Sequence, residues 1–291
     1  MTKKKLTWHF YVIALVGIAL VITIFLLRHS AKNKSFELAH AYSFIEVPND
    51  VQNHFTITKL NEKDKTVNYD GVEIPSETVS DKISERQMDG IQQLTQLAID
   101  QDVKMKYVNE IKNSLAQTGN KQLFFDARSD ENTKKANINH PVFALKTFDW
   151  VNNTDQLKST LALLDKIPNI IEVRYINKEK VVIKSNYLKK KEITTTLSKY
   201  GSFIESLVTA NPNYVVKYYI DDKNTFGSYM AVLSLTKKAV DNVRQKKAIE
   251  HWGKPFNNLQ PDQQEGLTIK YPFKVFEITA DIQKLAGSVE Q

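Results

Sequence analysis

From Leu6 to Leu27 the chain reads LTWHFYVIALVGIALVITIFLL, 22 residues without an Asp, Glu, Lys or Arg. As a helix rising about 1.5 Å per residue the run is about 33 Å long, close to the roughly 30 Å hydrocarbon thickness of a bilayer. Every later apolar run is broken sooner by a charge or a turn residue. The expectation is one transmembrane helix over 6–27, with the rest of the chain hanging from it. A cleaved signal peptide has an apolar region of only about 7–15 residues with a small-x-small site close behind. Here Arg28, His29, Ser30, Ala31 and Lys32 follow, and the nearest small-x-small pattern, Ala39-His40-Ala41, lies well downstream. The run therefore reads as a retained anchor.

The flanks set the orientation. Lys3, Lys4 and Lys5 with the α-amine face Arg28, Lys32 and Lys34, a balance that tips the short tail 1–5 towards the cytoplasm and the body of the chain outwards. Trp8 sits where an amphipathic ring favours the headgroup layer, so Lys3, Lys4, Lys5, Trp8 and Arg28 are the expected membrane-interface residues.

A net charge of +7 and a pI near 9.2 would suit a nucleic-acid partner, but the charge is not spread evenly. Residues 1–34 hold six Lys/Arg and no acid, leaving 34 basic against 33 acidic residues beyond them. The basicity is mainly a topology and headgroup signal, which argues against nucleic acid. With no cysteine there is no disulfide, thiolate metal site or cysteine nucleophile.

Beyond the anchor, 28–50 reads as a stalk. HFTITKL, a polar turn at Asn61-Glu62-Lys63-Asp64, and TVNYDGVEI with its Asp70-Gly71 turn predict a strand pair. Val79, Ile83, Ile91, Leu94 and Ala98 predict a helix from Ser76 or Ser80, and Tyr107, Val108, Ile111 and Leu115 a second one. These elements make a segment 51–120. In 121–291 the pattern KQLFF, VFALKTFDW, a helix through Leu157, Leu161 and Leu164, IIEVRYI, KVVIKS, a helix through Leu197 ended by Gly201, and YVVKYYI predicts β-α-β-β-α-β over 142–220. That is the split βαβ, ferredoxin-like arrangement, with helices on one face of an antiparallel sheet. YMAVLSL and LTIKYPFKVFEIT predict further strands, the second at an edge or bulge because of Pro272, and between them Thr236 caps a helix through Val240, Val243 and Ile249. The fold class expected is α+β: one N-terminal transmembrane helix followed by antiparallel-sheet modules.

The sequence holds no HExxH, GxSxG, GxxxxGK[ST] or GxGxxG pattern, and its six histidines have no pair at helical ligand spacing. Asp126, Asp130 and Glu131 share a polar stretch without the glycine and ligand spacing of a calcium loop, and Asp221-Asp222 reads as turn chemistry. No catalytic, cofactor or metal residue is assigned. Charge does segregate along the chain: 66–102 carries eight acids against two bases, and 174–200 carries a net +6. The plain reading of both is a solvated face. The functional reading of Lys180, Lys184, Lys189, Lys190 and Lys191 is a surface for an anionic partner: headgroups, an envelope polymer, or an acidic surface of a second copy.

One span followed by small βαββ-type modules is similar in layout to assembly subunits of bacterial envelope machines, such as secretion and conjugation scaffolds and division proteins. That resemblance is one of architecture and implies a non-enzymatic, extracytoplasmic scaffold or protein-interaction subunit at the cell membrane. Its expected partners are the lipid bilayer and other envelope proteins or its own copies. The alternatives are a sensor or regulatory domain for a small ligand or membrane partner, and an envelope hydrolase built on paired carboxylates.

Overall fold

The computed structural model describes residues 37–42, 53–85, 94–118, 122–128, 142–146 and 154–287. The run Leu6–Leu27 and its flanking Lys3, Lys4, Lys5, Trp8 and Arg28 lie outside them. Among the described residues no helix is long and apolar enough to cross a membrane.

Strict alternation builds the first sheet. In β1 (Asn53–Ile57) the residues Asn53, Phe55 and Ile57 are buried while His54 and Thr56 face outwards, and β2 (Thr66–Tyr69) buries Val67 and Tyr69 in the same way. A short helix, α1 (Lys59–Asp64), joins them where a simple turn is expected, because Thr58 and Asn61 cap each other's backbone. β2 turns into β3 (Val72–Pro75) through Asp70 and Gly71 at φ 48 and 87. Two positive φ values make the two-residue turn that matches strand twist, and glycine adopts one without steric cost. After α2 (Val79–Ser84) the chain returns as β4 (Thr95–Ile99), parallel to β1. It continues through α3 (Met105–Gln117) to β5 (Gln122–Asp126), parallel to β4, and then to β6 (Val142–Lys146), antiparallel to β5. The strand order is β3-β2-β1-β4-β5-β6.

The helix expected to run on to Ala98 is corrected here. Leu94 and Ala98 suit a helical stripe, but Thr95, Leu97 and Ile99 alternate at a spacing of two and are the residues buried. Parallel pairing with β1 decides between the two patterns.

The second sheet follows α4 (Thr154–Asp165). β7 (Asn169–Asn177), β8 (Lys180–Lys184) and β9 (Glu192–Thr195) form an antiparallel meander. α5 (Leu197–Ala210) leads to β10 (Tyr214–Tyr219), which lies parallel beside β7. α6 (Phe226–Trp252) and α7 (Pro261–Lys270) precede β11 (Val275–Ile278), parallel to β10, and α8 (Ala280–Gly287) comes last. The order is β11-β10-β7-β8-β9.

The ferredoxin-like arrangement over 142–220 therefore does not form. β6 joins the first sheet, and β10 pairs in parallel with β7. Nor do helices cover one face alone. Val215, Phe276 and Ile278 pack with Leu161, Leu164 and Ile282 of α4 and α8, while Tyr214, Val216 and Tyr218 enter the main core with residues of α5 and α6 such as Ile204 and Tyr229. Burial on both faces is why YVVKYYI is apolar or aromatic at every position but Lys217.

YMAVLSL is also not a strand. It lies inside α6, where Tyr229, Met230, Val232, Leu233 and Ser234 are all buried, so the helical period is masked by apolar residues on nearly every side. α5 runs straight through Gly201. LTIKYPFKVFEIT is divided between α7, which starts on Pro261, and the edge strand β11, with Pro272 in the link between them.

The two sheets share a plan. In each, a three-strand meander is followed by helix, strand, helix, strand, and the two later strands add in parallel beside the first strand of the meander. The chain holds two structural repeats, within one compact unit Leu38–Gln291 and a core that runs through both.

Candidate functional site at the seam of two repeats

The repeats meet at equivalent loops. Ile99-Asp100 leaves β4 and Ile220-Asp221 leaves β10, and the next helix begins six residues after each isoleucine, at Met105 and Phe226. Both aspartates close the same turn. Asp100 Oδ1 accepts from Asp102 N at 2.9 Å and Asp221 Oδ1 from Lys223 N at 2.8 Å. The turn chemistry expected of Asp221-Asp222 is present, with a twin in the first repeat.

These loops exchange bonds about a local pseudo-two-fold axis. Met105 N donates to Asn224 O and Phe226 N to Val103 O, each at 2.8 Å. Lys106 N donates to Asp222 O at 3.2 Å and Gly227 N to Gln101 O at 2.8 Å. Lys104 and Thr225, which occupy equivalent positions, form an antiparallel bridge with each other. The first amides of a helix have no partner within it. Here each repeat supplies the carbonyls that satisfy the other's helix.

Behind the loops lies a buried polar tie. Lys112 Nζ of α3 donates to Glu277 Oε2 of β11 at 2.5 Å, with the two side chains 1% and 8% exposed. The Tyr229 hydroxyl of α6 donates to Glu277 Oε1, and the Lys112 ammonium lies 5.2 Å from the centre of the Tyr229 ring. Burial pushes the Tyr229 phenol well above its ordinary range, and the Glu277 carboxylate beside it pushes the same way. Tyr229 therefore stays a neutral donor. Phe125, Phe226, Tyr218 and Tyr229 pack around the tie with ring centres 5.3–6.2 Å apart, Tyr218 and Tyr229 stacked and Phe125 edge-on to Tyr229. Asn109 is buried next to Lys112 on α3 with neither side-chain amide atom hydrogen bonded, and the Tyr218 hydroxyl is buried likewise. Lys, Glu and Tyr are acid–base residue types, but here they reach one another and not solvent, and what they do is hold two repeats in register.

The sequence-derived surface residues fall elsewhere. Lys180 lies beside the β7–β8 turn and Lys184 at the other end of β8, where it pairs with Glu192 at 2.9 Å. Lys189, Lys190 and Lys191 are exposed together in the β8–β9 loop, on the side of Lys184 and away from Lys180. Lys180 thus stands at the opposite end of β8 from the other four. Asp126 is buried in β5 and accepts from Gln96 Nε2 at 2.7 Å, while Asp130 and Glu131 lie outside the described residues. Among the described residues no group of acids or histidines is placed to hold a metal ion. Sequence reasoning missed Lys112, Tyr229 and Glu277 entirely. The one signal available was the Ile-Asp echo before two helices.

Compared with protein families, curated proteins and solved structures, the chain matches none of them.

Proposed function

We propose that this chain is a single-pass, membrane-anchored and non-enzymatic protein, whose body works outside the cytoplasm as a protein-interaction or scaffold subunit of a cell-envelope assembly. The observation that carries this reading is the charge-free run Leu6–Leu27 with basic residues on both flanks. Two features of the body support it. The buried Lys112–Glu277–Tyr229 tie is spent on joining the repeats, and many lysines stand exposed on the second repeat. An anchor confines such a body to a thin layer beside its partners, raising its effective concentration for them without any new contact.

Crosslinking in native membranes with mass spectrometry, alongside carbonate washing and protease treatment of spheroplasts, tests the reading. The expected result is a carbonate-resistant protein, cleaved from outside and crosslinked to envelope proteins or to itself. Release by carbonate, or a protein that migrates alone from gently solubilised membranes and whose deletion leaves every envelope complex intact, overturns it.

A further inference from the structure

β7, β9, β10 and β11 begin at one end of the second sheet, opposite the seam, and β8 finishes there. β7 and β10 start level with each other at Asn169 and Tyr214, and β8 ends level with Glu172. The β8–β9 loop is held at this end through Ser185, which donates to Asn169 Oδ1, and through Asn211, which donates to the Tyr187 hydroxyl. α6 begins at the seam and runs back to this end beside α5, with Thr236 against Tyr200 and Lys246 against Glu205. Its last turns overshoot the end of α5. α7 lies against them, Arg244 Nε donating to Tyr271 O at 2.9 Å.

This end is basic. Lys166, Lys189, Lys190, Lys191, Lys254 and Lys274 are all exposed here, and Lys270 joins them at the end of α7. The acids nearby are largely committed elsewhere: Asp165 to Lys217, Glu192 to Lys184 and Glu250 to Lys247. Asp262 and Glu265 of α7 remain. The same end also exposes large apolar and aromatic groups, with Tyr187 44%, Ile249 52%, Trp252 39% and Ile269 71% accessible. Lysines mixed with exposed tryptophan, tyrosine and isoleucine suit the boundary between anionic headgroups and acyl chains. The rings and branched chains enter the interface, and the ammonium groups stay with the phosphates.

We infer that the end of the second repeat carrying Lys189–Lys191, Lys254 and Trp252 is a docking surface for an anionic lipid membrane. The inference rests on the anchored reading above and adds to it: the body lies against the bilayer through this end. Each lysine brought to an anionic surface contributes about a fivefold gain in partition, and the gain falls away with salt.

The test uses the full chain reconstituted into nanodiscs of phosphatidylcholine, with and without phosphatidylglycerol, and reads acetylation of individual lysines by mass spectrometry. The expected result is protection of Lys189, Lys190, Lys191 and Lys254 in anionic discs alone, reversed by high salt. Lys180, at the other end of β8, is the internal control and stays reactive in both. The charge-reversed chain K189E/K190E/K191E is expected to remain in the disc and to lose protection at Lys254 by about 100-fold, from three lysines at about fivefold each. W252S, with every lysine kept, is expected to weaken protection less. Equal acetylation in both discs with the chain still inserted overturns the docking surface and leaves the anchor standing. Failure of the chain to insert at all overturns the anchor. Protection in native membranes but in neither disc assigns the surface to a protein and overturns the lipid.

Discussion

The two repeats follow one strand plan and differ in what fills it. In the second, β10 is buried on both faces, between α5 and α6 on one side and α4 and α8 on the other. In the first, β1 and β4 bury one face and turn His54, Thr56, Gln96 and Ala98 outwards. The helix after the fourth strand has 13 residues in the first repeat and 27 in the second. The seam shows the contrast most sharply. Applying the pseudo-two-fold to Lys112 and Glu277 gives Leu233 and Phe125, all four buried. An ion pair on one side of the axis thus corresponds to two apolar residues on the other. What the repeats keep in common is backbone: two matched aspartate turns and four exchanged amide bonds. Topology and main-chain hydrogen bonding therefore define the repeat, while side chains at equivalent places are free to be charged or apolar provided each is satisfied.

The largest test of that view removes one half of the polar tie. Lys112→Met leaves the Glu277 carboxylate buried without its cation, and should cost about 3–5 kcal/mol in chemical denaturation. K112L/E277F/Y229F, which gives this side the apolar character of its counterpart, should recover most of the loss. A K112M chain as stable as the parent would break the comparison.

Alkaline titration ranks next. Burial raises the phenol pKa of Tyr200, Tyr214, Tyr218 and Tyr229 in the second repeat above the ordinary value of 10.0, and raises Tyr107 in the first. Above that value the unfolded chain has lost protons that the folded chain keeps. Stability is therefore full below about pH 10 and falls above it, by about 1.4 kcal/mol per pH unit for each buried tyrosine. The phenolate absorbance of these five tyrosines should appear only with loss of circular dichroism, and their titration before unfolding would refute the burial.

Gly227 and Lys106 occupy equivalent positions at the seam. A Cβ on Gly227 would lie 3.1 Å from both Cβ and O of Gln101, so G227A should cost about 1–3 kcal/mol. K106A, at an exposed side chain, should change stability by less than about 0.5 kcal/mol. Equal effects would mean that the seam is not closely packed around this axis.

The smallest effect expected is a gain. Asn109 corresponds to Met230 in the second repeat, and its buried amide has no hydrogen-bond partner. Copying across the axis as N109M should raise stability by about 1 kcal/mol, read as a higher Tm. A loss would show that Asn109 is satisfied in solution.

How much was legible follows the same division. Strands with one buried face declared themselves: Phe55 and Ile57 in β1, Val67 and Tyr69 in β2, and the Asp70-Gly71 turn beyond them. α3 and α4 were readable because their core-facing apolar residues form one stripe, buried in α3 and half-buried at Leu161 and Leu164 in α4. The second half of α6 was readable through Val240, Val243 and Ile249, but its first half was not, since Tyr229 to Leu233 face a sheet, a neighbouring helix and the other repeat at once, and a stretch buried nearly all round has no polar face to reveal its period. β4 was missed because Leu94 and Ala98 offered a helical spacing that competed with Leu97 and Ile99. The buried tie was invisible, because Lys112 and Glu277 stand 165 positions apart and neither belongs to a local pattern.

Short-range physics reaches only as far as neighbouring residues. By itself the sequence determined the apolar run at Leu6–Leu27, most of the one-faced strands and stripe-bearing helices, and the aspartate turns, because turn chemistry and hydrophobic period are properties of adjacent side chains. Only the tertiary structure decided which sheet β6 joins, that β10 lies parallel to β7, and that two halves with little sequence in common close on each other through equivalent loops. Those outcomes depend on strand pairing and burial between distant segments, which become definite when the core forms as a whole.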